Sequence, residues 1–193
     1  MFQKSTSATT AMQVLAETRT QKELAIDSYV TPALISNQLK GKRTVSLEQA
    51  EQLIDSYNEP ESTYLFAHEF SNGMIPPLFD GLDNHHASLT NRFELEVEEA
   101  VNALKNGIET MTYNLIKGDM SQREAAKQAI SEITDVIASA LTLNTSIAKA
   151  FNIDLQQVLN KRDQYYKKLG VVKNDIQCNN SSGVVRKNEA TRH

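Results

Sequence analysis

Between Arg19 and Arg43 the chain places Arg19, Lys22, Lys40, Lys42 and Arg43 against only Glu23 and Asp27, although its 193 residues carry a formal net charge of -4. Cations interleaved with Gln21, Ser36 and Asn37 bring charge suited to a polyanion together with amide and hydroxyl groups. A second set is acidic. Glu94, Glu98 and Glu99 are followed, a helical stretch later, by Glu132-Ile133-Thr134-Asp135, carboxylates of the kind that hold a divalent cation. A third group, Asp80, Asp83, His85 and His86, carries ligand-type side chains. It lies in a polar loop with no further His or Cys at ligand spacing, so it reads as solvated loop, and neither a metal nor another cofactor is expected.

Charge divides the chain unevenly. Residues 59–118 hold three Lys or Arg against ten Asp or Glu, whereas residues 1–58 balance at six against six and residues 171–193 carry four against two. The basic face of residues 19–43 therefore sits on an otherwise neutral N-terminal region. Cys178 is the only cysteine, which excludes an internal disulfide or a multi-cysteine zinc site and suits a reducing compartment. No apolar run approaches the ~20 residues that span a bilayer, and the start lacks a signal-peptide pattern. The expectation is a cytoplasmic protein with no membrane partner. Glycine is scarce, no Gly-rich phosphate loop occurs, and strand-like alternation is nearly absent. The fold class expected is all-α.

The elements that would carry these residues are marked by local signals. Met12, Val14 and Leu15 belong to a first helix. Thr20 and Glu23 form a capping box that starts a second at Gln21, with Leu24 and Ala25 inward. The chain must turn near Ser28 and Tyr29, because Thr31-Pro32 starts a third helix with a Thr cap and a Pro at the first helical position. That helix runs to about Leu39 and stops at Gly41. Val30 and Ile35 plug the core between the two. Ser46 caps a fourth helix lined by Leu47, Ala50, Leu53, Ile54 and Tyr57, and a fifth, from Glu61 to about Phe70, presents Tyr64, Leu65, Ala67 and Phe70. His68 reads as a surface residue. Residues 71–89 are a linker in which Pro76-Pro77 favours an extended spacer, with Met74, Ile75, Leu78 and Phe79 docked on one domain.

From Leu89 the pattern is helical at heptad spacing. Val97, Val101, Leu104, Ile108, Met111 and Leu115 form one seam, closed by Gly118-Asp119. A capping box at Ser121 and Glu124 opens the next, whose seam is Ala126, Ile130, Ile133, Ile137, Ala140, Asn144, Ile147 and Phe151. The short connection makes the two helices antiparallel neighbours. A third helix, capped by Asp154 and Gln157, carries Leu155, Val158, Leu159, Tyr165 and Leu169. Apolar surface on more than one side of this hairpin favours a homodimer, with Ile130, Ile133, Ile137, Asn144 and Ile147 as its contact residues. Asn144 either fixes register as a single polar residue in the seam or lies at an exposed helix end. Residues 171–193 lack periodicity and read as a disordered tail.

The spacing Gln21, Ala25, Val30, Ile35, Ser36, Gly41, Arg43, followed by the capped Ser46-Leu47-Glu48-Gln49, resembles the XRE-type helix-turn-helix of Cro and the lambda-type repressors. The resemblance covers about residues 8–70. Ser28 and Tyr29 stand where that family has an apolar residue and Gly, and Gln38 replaces an apolar residue, with Leu39 expected to supply the missing core contact. It implies a five-helix lambda-repressor-like head over residues 1–70, joined to a helical dimerisation domain over 90–170. The DNA-facing set it implies is Gln21, Thr31, Pro32, Ala33, Ser36, Asn37, Lys40, Lys42 and Arg43. Gln21 would meet phosphate, Pro32, Ala33, Ser36 and Asn37 would lie near base edges, and the three cations would hold the backbone of double-stranded DNA.

The acidic pairs of the C-terminal half resemble, over about residues 90–168, the ExxE and ExxD pairs of MazG-like all-α nucleotide pyrophosphohydrolases, with Lys161-Arg162 as a late basic segment. In the heptad register Asp135 falls opposite the seam and points outward, so no catalytic residue is assigned. The expected function is a phage- or prophage-type transcriptional regulator acting as a homodimer. The alternatives are magnesium-dependent nucleotide hydrolysis and an antitoxin-like regulator that binds a partner protein through its C-terminal domain.

Overall fold

The computed structural model describes residues 7–79, 83, 85–113 and 120–172, with side chains described outside 107–113 and 120–122. Among them are eight helices and no strand: α1 (Ser7–Ala16), α2 (Gln21–Asp27), α3 (Pro32–Leu39), α4 (Leu47–Ser56), α5 (Pro60–Phe70), α6 (His86–Tyr113), α7 (Met120–Phe151) and α8 (Leu155–Lys168). No helix among the described residues is long and apolar enough to cross a membrane. The chain divides by compactness after Gln156.

The first five helices enclose one core, because each short helix turns a single apolar stripe inward. Met12 and Leu15 of α1, Leu24 of α2, Ile35 of α3, Leu53 of α4 and Phe66 of α5 are fully buried. Leu39 and Val30 pack against this cluster from its edge, so Leu39 does take up the core contact expected of it. Two positions differ from the sequence reading. The fifth helix buries Phe66 and Ser62 and leaves Phe70, its last residue one turn beyond Phe66, at the rim with its ring stacked on that of Phe66. Leu47 is exposed, as the first residue after the Ser46 cap, and Val45 fills the core at that level.

The α2–α3 corner is built by backbone hydrogen bonds. Thr20 and Glu23 close the capping box. Ser28 ends α2, the Val30 amide donates to the Ala25 carbonyl at 2.9 Å and the Tyr29 amide to Ile26 at 3.2 Å, which is the Schellman arrangement. Its left-handed position is Tyr29, at φ 53°. A side chain there costs about 1–2 kcal/mol that glycine does not. Tyr29 is also 83% exposed, so little packing is lost with it. Tyr29→Gly is therefore expected to stabilise the head by about 1 kcal/mol in urea unfolding. At the far end of α3 the same arrangement recurs with Gly41 at φ 63° and Lys42 N–H donating to the Asn37 carbonyl at 2.8 Å.

The segment after α5 bridges both halves rather than docking on one. His68 Nδ1 meets the Ile75 carbonyl at 2.6 Å, and the Ile75 amide donates to Ser71 Oγ. Past the two prolines, the Phe79 amide donates to Thr142 Oγ1 at 3.0 Å and Arg92 lies over the Phe79 ring. Met74 stays 86% exposed. Lys149 of α7 pairs with Glu59 and Glu61 of the head. Partial burial lowers its pKa, but the hydrogen bond and charge of Glu61, aided by Glu59, outweigh that and raise it. Asp83 accepts from the His85 amide and from Ser88 Oγ, so it holds the start of α6. Asp80, the Ser121 cap, the Gly118-Asp119 turn and the seam side chains of Ile108, Met111 and Leu115 lie outside the described residues or side chains, as does the tail from residue 173.

Helices α6 and α7 pair antiparallel: His86 at the start of α6 meets Ser146 and Phe151 near the end of α7. The heptad seam of α7 is not the surface along which they meet; on α6 the seam residues Val97 and Leu104 are half-buried and Val101 is exposed, while the side chains of Ile108, Met111 and Leu115 lie outside the described ones. The buried positions are Leu89, Glu96 and Ala100 on α6, and Ala129, Ala138, Ser139, Thr142, Thr145 and Ala148 on α7. Small side chains let the two backbones approach, and the buried hydroxyls are satisfied within α7: Thr142 donates to Ala138 O at 2.8 Å and Thr145 to Leu141 O at 2.9 Å. The branched apolar residues of the seam lie outward as a result. Ile130 is 65% exposed and Ile137 45%. On α8, Arg162 lies over the rings of both Tyr165 and Tyr166.

Candidate functional site

Helix α3 is held from below by a polar core. Gln38 Nε2 donates to Gln49 Oε1 at 2.7 Å, and Gln49 Nε2 donates back to Gln38 Oε1 at 3.0 Å. The second protons go to the Thr44 carbonyl at 3.0 Å and to Ser28 Oγ at 3.5 Å, and Ser28 itself donates to Leu24 O. Gln38, Gln49 and Ser28 are 1%, 4% and 2% exposed, so two amides are buried with every N–H used. Ser28 and Gln38, the two places where the sequence carries polar residues at apolar positions, are thus parts of one network whose third member, Gln49, arrives from α4. The network ties α3 to the Gly41–Thr44 loop and to the α2 turn.

Above that core lies a polar, cationic surface. Gln21, Thr31, Pro32, Ala33, Asn37, Lys40, Lys42 and Arg43 are exposed, and Ser36 is half-buried. Thr31 Oγ1 accepts from the Leu34 amide, so its hydroxyl serves the cap, and Asn37 Nδ2 donates to the Ala33 carbonyl at 3.0 Å. Gln13 of α1 donates to the Leu39 carbonyl at 3.0 Å, pinning the end of α3. At the start of α2 the Glu23 carboxyl is held below its usual range by hydrogen bonds from the Thr20 amide and hydroxyl. Behind α2, burial and a hydrogen bond to Asp27 push the Tyr57 hydroxyl up to about 12, with Arg19 over its ring.

A second cluster lies in the hairpin. One carboxylate oxygen from each of Glu96, Glu99 and Glu132 comes within 4.8 Å of the others. Glu96 is 2% exposed and pairs with Arg92, and Gln128 donates to Glu132 at 2.6 Å. Asp135, one turn beyond Glu132, is half-buried. The heptad register sent it outward. Because the seam itself faces solvent, the opposite side of α7, with Glu132 and Asp135, turns toward α6. Three carboxylates at this separation repel one another unless a cation or a proton intervenes.

No protein-family model, curated protein or solved structure matches this chain. Its site residues therefore stand on the geometry alone. Sequence reasoning overlooked Glu96, although it is the one member of the Glu94–Glu99 run with another carboxylate three residues on. It overlooked Gln49 too, which no local signal separates from an ordinary surface glutamine.

Proposed function

We propose that the chain is a sequence-specific DNA-binding transcriptional regulator of the phage or prophage repressor type. Its α2–α3 pair acts as a helix-turn-helix within a five-helix head, and it works as a homodimer through the helical hairpin. One observation carries the reading. Helix α3 buries Ile35 and Gln38 while Pro32, Ala33 and Asn37, with Lys40, Lys42 and Arg43 beyond its end, share the exposed side. A short helix that presents an amide and methyl groups, flanked by cations, suits the major groove, where Asn pairs with adenine and a methyl meets thymine.

Genomic fragments retained by the purified protein define the site, and two variants then separate the roles. Asn37→Ala is expected to weaken binding to the selected site by ~1–3 kcal/mol and to relax discrimination there, whereas Lys42→Ala should weaken all sequences alike and lower the salt slope by about one. Equal losses on selected and random DNA for both variants would defeat the assignment.

The convergence of Glu96, Glu99 and Glu132 favours a second reading for the hairpin, magnesium-dependent nucleotide pyrophosphohydrolysis of the MazG-like kind. A cation held there would neutralise phosphate charge; the chain's part is to fix carboxylates on facing helices, with Asp135 one turn away. Pyrophosphate release from the common nucleoside triphosphates with magnesium tests it. Under this reading Glu132→Gln and Asp135→Asn bring turnover to background while DNA retention persists, and no release from the unaltered chain rules it out.

A further inference from the structure

The α2–α3 corner holds a tyrosine where glycine would cost less. Tyr29 has φ 53° and is 83% exposed, and its hydroxyl has no partner among the described residues. Neither packing nor an internal hydrogen bond offsets the left-handed backbone, and residues held in such conformations without an internal return cluster at binding sites. We propose that the Tyr29 hydroxyl donates a hydrogen bond to a phosphate oxygen of double-stranded DNA, at the rim of the groove that α3 enters. The inference rests on reading α2–α3 as a helix-turn-helix and adds to it a contact made from the turn itself.

Placement follows from the length of the link. Tyr29, Thr31, Pro32 and Ala33 are exposed, and only Val30 among them packs toward the core. Pro32 and Ala33 open α3 and are the residues set against base edges. The major groove is about 8.5 Å deep, and three residues of extended chain span at most about 11 Å. A side chain three positions before Pro32 therefore comes out at the level of the phosphates. The corner is also fixed before any ligand arrives. Buried Ser28 is hydrogen-bonded to Leu24 O and Gln49, and the Val30 amide donates to Ala25 O at 2.9 Å, so both neighbours of Tyr29 are held and little order is lost when the ring meets its acceptor. Tyrosine is among the side chains that donate to phosphate oxygens. Ile26, 62% exposed on the preceding turn, offers no polar group. The exposed Lys22, Lys40, Lys42 and Arg43 of the same motif favour a polyanion over an apolar protein surface. A protein partner would use the ring of Tyr29, whereas a phosphate uses its hydroxyl.

The test titrates the full chain, Tyr29→Phe and Tyr29→Gly with a retained genomic fragment and with random duplex over a series of salt concentrations, and follows urea unfolding of each in parallel. Tyr29→Phe keeps the ring and the strained backbone and loses only the donor. It should unfold at the unaltered midpoint yet bind both duplexes about tenfold more weakly, the fold-change of one hydrogen bond to a charged acceptor. The salt slope should not change, because a neutral phenol displaces no counterion, whereas Lys42→Ala in the same series should lower it. Tyr29→Gly should lose at least as much on DNA while unfolding at higher urea, opposite movements that a purely structural role does not produce. Tyr29→Phe binding as tightly as the unaltered chain would overturn the contact and leave the DNA-binding reading standing. A loss confined to the retained fragment would mean a base contact and overturn it too, and a chain that retains no duplex overturns both.

Discussion

Phe66→Ala is expected to lower the unfolding free energy of the head by ~3–5 kcal/mol, the largest single-residue effect in the molecule. Phe66 is 1% exposed and fully enclosed with Met12, Leu15 and Leu53, side chains drawn from α1 and α4. Truncation removes the transfer energy of a ring and leaves a hole that three short helices close only in part. Because α1 and α5 share this contact, the loss should appear as a cooperative shift of the urea midpoint. Phe70→Ala, at the rim with 37% exposure, serves as the control and should cost less than half as much. A loss under about 1 kcal/mol for Phe66→Ala would show that α5 is not part of the cooperative core.

Gln49→Leu is expected to cost ~2–3 kcal/mol, because the Gln38 amide is then left buried without its two amide bonds. Gln38→Leu should cost about the same for the reciprocal reason, and it also frees the Thr44 carbonyl. The double variant should cost no more than either single one, since two apolar side chains of similar size satisfy each other and leave only Ser28 and Thr44 to find water. Additive losses across this cycle would show that the two amides act independently. If the chain binds DNA as proposed, the single variants should also weaken its retention even at temperatures where they remain folded, since Gln38 ties α3 to the loop bearing Lys42 and Arg43.

The caps of α2, α3 and α4, the Pro32 start and the Gly41 stop were legible in the sequence because each depends on residues within four positions of one another. So was the inward placement of Met12, Leu15, Leu24, Ala25, Ile35 and Leu53, where a short helix has a single apolar stripe and therefore one way to turn. Beyond that range the sequence determined the all-α class and which segments become helices. Tertiary structure alone decided which face of a long helix meets its neighbour. Helix α7 has an isoleucine seam and an Ala, Ser and Thr face, and heptad spacing favours the first by hydrophobicity. Close approach to α6 selects the second, because small side chains bring the backbones together while their hydroxyls bond within the helix. The same choice sets Glu132 beside Glu96 and Glu99, more than thirty residues away in the chain, and joins Gln38 to Gln49 across α3 and α4. Local spacing cannot specify such meetings, because they arise only when separate helices are brought to one depth by the packing around them.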